Sequence, residues 1–118
     1  MSWVTDILLL AGLEEQFPKS GDMPKQPPAI AAVNKWLKSN QWAALIRLDE
    51  RIGLHTESAF QACAYGGALN NLDIKEFLRA VAEQKWEAPT KVLLLLKNEG
   101  DKKFTVYRMD RGRRLTRG

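Results

Sequence analysis

Few residues in this 118-residue chain are of types that do chemistry, and their spacing suits them poorly for it. His55 is the single histidine and Cys63 the single cysteine. A general base needs a positioned partner within hydrogen-bond reach. His55, a lone histidine beside Gly53 and Thr56, reads as a loop residue. Cys63 sits among apolar neighbours, where a thiol stays protonated and inert. A Cys63–His55 dyad would lack the third group that orients such a pair. One Cys and one His cannot close a structural zinc site. Gly66-Gly67 lacks the spacing and the lysine of a phosphate loop. Glu14-Glu15 and Asp49-Glu50 are adjacent carboxylates, whose side chains point apart, and both pairs read as solvated surface. The sequence therefore predicts no catalytic residue, no metal and no cofactor.

Charge and aromatic residues say more. Residues 102–118 hold Lys102, Lys103, Arg108, Arg111, Arg113, Arg114 and Arg117 against Asp110 alone. That segment is strongly basic, while residues 1–101 carry 11 Lys/Arg against 13 Asp/Glu. Any contact with nucleic acid must rest on this C-terminal end. Tyr107 offers a ring there for base stacking, but no aromatic RNA-binding strand motif is present. A charged edge strand also protects a sheet from edge-to-edge aggregation. Trp3, Trp36, Trp42 and Trp86 are core candidates first. Trp42 and Trp86 each follow a predicted helix, where partial exposure would make them anchors for a protein partner.

Asp73 is an N-cap, with Glu76 placed for a capping box and Leu72 and Phe77 for a hydrophobic staple. Ile74, Phe77, Leu78 and Val81 fall on one face of a helix that should end near Lys85-Trp86. Pro89 then forces an extended Ala88. Val92 to Leu96 is an unbroken apolar run, which fits a strand covered on both faces, or at least a central one. It is far shorter than the roughly 20 residues that cross a bilayer.

Earlier in the chain, Trp3 to Gly12 favours a strand, with Asp6 needing a partner or an exposed face. Glu14 to Pro28 holds four of the five prolines and reads as a long loop. Pro27-Pro28 opens a helix over Ala29 to Asn40, with a stripe of Ile30, Val33 and Leu37 flanked by Trp36. Ala43 to Asp49 and Thr56 to Tyr65 are further strands, with Arg51 to Leu54 extending or turning the first. Gly66-Gly67 suits a bulge or a close backbone approach. Lys97 to Lys102 is a hairpin connection, and Phe104 to Met109 alternates as a strand. Asp110 to Arg113 makes a second turn, after which Arg114 to Thr116 pairs briefly.

A helix, then a Trp, then a strand occurs twice, at Trp42 and at Trp86. The expected fold is a single α+β domain over residues 1–118. It is a βαββαβ (ferredoxin-like) sandwich with an additional C-terminal β-strand or hairpin. With one cysteine no internal disulfide forms, and Asp6 interrupts the first apolar run as no secretory leader would allow. A cytoplasmic protein is expected.

Met1-Ser2-Trp3-Val4-Thr5 resembles the opening of a group of small bacterial proteins, many from actinobacteria. Gly67-Ala68-Leu69-Asn70 with Asp73 is similar too. So are Trp86, Pro89, Val92 and Leu94, followed by Phe104, Val106 and Met109. The resemblance implies a fold and a bacterial source; the group has no established activity.

The leading expectation is a non-enzymatic protein-binding protein, in its most specific form an immunity protein that neutralises a cognate toxin. Its contacts are expected at Trp42 and Trp86, at Glu14, Glu15 and Asp22 in the proline-rich loop, and at Arg108, Arg111, Arg113 and Arg114. The alternative is a nucleic-acid-binding module using the basic end. No membrane contact is expected.

Overall fold

The computed structural model describes residues 3–16, 26–49, 62–110 and 114–118. His55, Asp22, Arg111, Arg113 and the segments 51–54, 56–61 and 17–25 lie outside the described residues.

The first strand, β1, spans Val4–Gly12 and alternates along its length. Thr5, Ile7, Leu9 and Ala11 are buried, while Asp6 is exposed and Leu8 and Leu10 are half-buried. A 3-10 turn, Leu13–Glu15, follows. Helix α1, Pro28–Ser39, opens as expected with Pro28 in its first turn, where a missing N–H costs nothing. Ile30, Val33 and Leu37 form its buried stripe, and Asn40 caps its end.

The expected strand over Ala43–Asp49 is reduced to β2, Ile46–Arg47. The cause lies in α1. The Asn34 side chain is buried, accepts from the Leu45 N–H at 2.8 Å and donates to the Leu45 carbonyl at 3.3 Å. Leu45 thus spends its backbone groups on a helix side chain instead of a sheet ladder.

Strand β3, Ala62–Asn70, runs straight through Gly66-Gly67 with unbroken pairing to β1, so of the two expected alternatives the close backbone approach holds and the bulge does not. Gly66 is needed for closeness. A Cβ built on it would lie 2.8 Å from the Ile7 carbonyl oxygen and 2.8 Å from Leu48 Cδ1.

Helix α2, Ile74–Ala82, carries the expected cap: Asp73 Oδ1 accepts from the Glu76 N–H at 3.2 Å. The Glu76 carboxylate faces Arg79 at 3.8 Å. The helix stops short of the expected Lys85-Trp86. Its last carbonyls are taken by side chains that double back. Gln84 Nε2 donates to the Ala80 oxygen, and Trp86 Nε1 donates to the Val81 oxygen, both at 2.8 Å.

A second 3-10 turn, Pro89–Lys91, leads to β4, Leu93–Asn98. Then come β5, Thr105–Met109, and β6, Leu115–Arg117. The six strands form one antiparallel sheet in the order β2-β3-β1-β4-β5-β6. Strand β4 is central, as its leucine run suggested. Only one of its faces is fully covered. Leu94 and Leu96 are buried, whereas Leu93 and Leu95 are half-buried.

The reason is the number of helices. Both pack on the same face, where Phe77, Val81, Ile30, Val33 and Leu37 meet Ile7, Leu9, Tyr65, Leu94 and Leu96 in one core. Nothing helical remains among the described residues for the other face. No described helix is long and apolar enough to cross a membrane.

Candidate functional site

Two helices, each roughly 10 Å across, cannot cover six strands spaced about 4.8 Å apart. The uncovered end of the helix-bearing face is a cleft of about 520 Å³. It opens between the start of α2 and strands β4 to β6. Its floor is apolar, with Leu96 and Ile74, and its walls are polar. Tyr107 and Arg117 are register partners on β5 and β6, so both project to this face. Lys102 and Lys103 come from the β4–β5 turn.

The turn is held firmly. Gly100 has φ +91°, a conformation open to glycine at little cost. The Asp101 N–H donates to the Asn98 oxygen at 2.9 Å, and the Asn98 N–H donates to Asp101 Oδ2 at 3.0 Å. The Glu99 N–H donates to the Val4 oxygen at 2.7 Å, tying the turn to β1. Thr5, fully buried, donates its hydroxyl to Asn98 Oδ1 at 2.7 Å. This frame fixes where Lys102 and Lys103 leave the sheet.

The cleft thus carries Lys102, Lys103 and Arg117 against the single carboxylate of Asp101, which already accepts a backbone N–H. A neighbouring recess of about 290 Å³ shares Lys103, Thr105 and Arg117 and adds Phe104, a residue that is 44% exposed. Cations around an apolar floor with a phenol and an open ring at hand bind an anion that also offers an apolar or flat part.

The residues expected to make contacts fall elsewhere. Trp86 is 2% exposed and belongs to the core, so it cannot serve as an anchor. Trp42 is half-buried and stacked on Trp36 at 5.6 Å between ring centroids, with Nε1 donating to the Asn70 oxygen at 2.9 Å. Its ring closes the end of α1.

Glu14 and Glu15 do diverge, but only Glu14 is on the surface, paired with Lys91. That hydrogen bond, more than the charge alone, lowers its carboxyl pKa. Glu15 corrects the expectation of a solvated pair. It is 1% exposed, and its two oxygens accept the N–H groups of Glu87 at 2.9 Å and Ala88 at 2.8 Å. Arg108 and Arg114 are exposed, and Arg108 projects from the sheet face opposite the cleft. Asp22, Arg111 and Arg113 lie outside the described residues.

Cys63 is buried 3.7 Å from the Gly12 oxygen. Its thiol pKa is raised, first by desolvation and then by the charges of Asp49 and Glu15. Such a thiol is a poor nucleophile at neutral pH. Among the described residues no group of three or more His, Cys, Asp and Glu could hold a metal ion.

Sequence reasoning placed Lys102, Lys103 and Arg117 in a basic segment but missed their convergence. The alternation of β5 puts Thr105 and Tyr107 on one face and was legible. The register that sets Arg117 beside Tyr107 was not, because β6 is three residues long. The chain matches no family model, and no curated protein or solved structure matches it at a significant level.

Proposed function

We propose that this chain is a small non-enzymatic binding protein whose basic cleft receives an acidic segment of a protein partner. In its most specific form the reading is an immunity protein that neutralises a cognate bacterial toxin, acting in the cytoplasm. The observation that carries the binding reading is the convergence of Lys102, Lys103 and Arg117 on a cleft floored by Leu96 and Ile74. Charge of one sign steers a partner of the other, and an apolar floor rewards the side chain that enters. The exposed Phe104 beside it replaces Trp86 as the aromatic contact.

The order β2-β3-β1-β4, antiparallel throughout with helices between β1 and β2 and between β3 and β4, supports a ferredoxin-like core. On that reading β5 and β6 are the C-terminal addition, and they build the cleft's far wall. The bacterial source implied by the sequence resemblance fits the same proposal.

A second reading is favoured by Tyr107 lying beside Lys102, Lys103 and Arg117, and Phe104 beside Lys103 and Arg117, a combination that suits single-stranded nucleic acid. One experiment separates the two. The triple variant Lys102→Glu, Lys103→Glu, Arg117→Glu and the parent chain are titrated with the product of the adjacent reading frame and, separately, with a labelled oligonucleotide. The protein reading requires partner binding by the parent and at least a tenfold loss in the triple variant. Steeply salt-dependent oligonucleotide binding, lost in the same variant, would move the function to nucleic acid. Partner binding unchanged in the variant would reject the cleft.

A further inference from the structure

No described helix covers the sheet face opposite α1 and α2, where Ala64 and Gly66 are buried but the central leucines are half-exposed, and its residues fall in rows fixed by the pairing register. One row runs Ile46, Gly66, Leu8, Leu95, Val106 across β2, β3, β1, β4 and β5. The next runs Ala64, Leu10, Leu93, Arg108, Thr116 across β3, β1, β4, β5 and β6. Leu48 flanks it, its N–H donating to the Ala64 oxygen at 2.8 Å. Leu8, Leu10, Leu93, Leu95 and Val106 are half-buried, and Ile46 and Leu48 are 64% and 43% exposed. The row at the end towards Val4 places Asp6 beside Lys97. A contiguous apolar band with a charged rim marks an interaction surface.

The pattern on the two central strands says what fits. Asp6 pairs with Lys97, Leu8 with Leu95 and Leu10 with Leu93. Consider a two-fold axis between two facing copies, parallel to the strands and midway between β1 and β4. It lays β1 of one copy over β4 of the other at the same row. Leu8 then meets Leu95 of the second copy, and Leu10 meets Leu93. Asp6 meets Lys97, so the rim becomes a square of four alternating charges. Sheets packed face to face lie about 10 Å apart and rotate by about 30°, which leaves such central pairs opposed.

We infer that this face is the interface of a symmetric homodimer. Its occupant is a second copy of the chain, because exchanging β1 and β4 makes the surface complementary to itself in both charge and apolarity. Five strand spacings of about 4.8 Å and a β4 of about 20 Å give at most roughly 500 Å² per copy, because the edge strands β2 and β6 are shorter. The total, at most about 1,000 Å², sits at the lower bound for a specific interface. An interface this small makes the dimer weak and concentration-dependent. Tyr107 and Arg117 project from the other face, so both clefts stay open in the dimer. The inference does not rest on what the cleft binds.

The test is sedimentation equilibrium of the full chain from about 1 µM to 1 mM, a span set by the expected weak affinity. The parent should pass from 13.4 kDa to twice that mass. Leu95→Glu should remain monomeric throughout. Asp6→Lys and Lys97→Asp should each weaken association at least tenfold, since each makes all four rim charges alike. The double variant Asp6→Lys with Lys97→Asp should restore it. Circular dichroism of each variant checks that it is folded, and the charge swaps carry the test should Leu95→Glu unfold. A parent that stays monomeric at 1 mM overturns the inference. So does a dimer that both Leu95→Glu and the single swaps leave intact, or a double swap that fails to rescue.

Discussion

Replacing Glu15 by alanine removes the one carboxylate that is buried among the described residues. In the native chain its two oxygens accept the N–H groups of Glu87 and Ala88, 72 and 73 residues away. They lock the turn after β1 to the link between α2 and β4. A hydrogen bond to a charged group is worth about 1.5–3 kcal/mol, and two are lost. Part is recovered, because burying a carboxylate costs several kcal/mol of solvation and the alanine is spared that cost. Water reaching the part-buried N–H groups recovers a little more. The net loss should be about 2–4 kcal/mol, against a total stability of about 5–15 kcal/mol for a domain of this size. Urea unfolding reads it. With a slope near 2 kcal/mol per molar, the midpoint should fall by about 1–2 M. Glu15→Gln keeps one acceptor but turns an amide donor towards a backbone donor, so it should lose about half to two-thirds as much. An alanine variant within about 0.5 kcal/mol of the parent would mean that the paired N–H groups need no acceptor, contrary to this account of Glu15.

Three further outcomes follow from single contacts. Gly66→Ala should cost about 1–3 kcal/mol, since the new methyl meets the Ile7 carbonyl oxygen at 2.8 Å and neither strand can give way cheaply; a midpoint equal to the parent's in chemical denaturation would contradict this. Asp73→Ala should cost about 1 kcal/mol by freeing the Glu76 N–H, and Asp73→Asn should cost less, both read from thermal melting. Cys63 should be unreactive to a thiol reagent in the folded chain and react fully on unfolding. Its raised pKa also sets a sign. Below the ordinary thiol range the group is protonated in both states and its contribution is constant. As pH rises past that range the unfolded chain ionises first, so stability falls with pH. Cys63→Ser, whose hydroxyl does not titrate there, should flatten that fall.

Local signals were legible because the residues that make them are neighbours in the chain. The Asp73 cap, the Pro28 helix start and the alternation of β5 each depend on a few adjacent positions, and the structure has all three. The basic character of the C-terminal segment was equally plain, since composition is additive. The cleft was not. It exists because two helices leave part of a six-stranded sheet bare, and helix coverage is a property of the assembled layers.

The same distinction explains the corrections. Gly66-Gly67 suited either a bulge or a close approach, and only β1 lying beside it decides for closeness. Trp86 follows a helix, where exposure is common, yet its ring turns back into the core and its N–H closes the helix end. Glu15 has the type of a surface residue and the environment of a buried one, because its partners arrive from across the fold. Sequence alone settled what each segment prefers to be; which faces are covered, and which charges meet, waited for contacts between segments far apart in the chain, since burial and strand register are set by what lies opposite and not by what lies next.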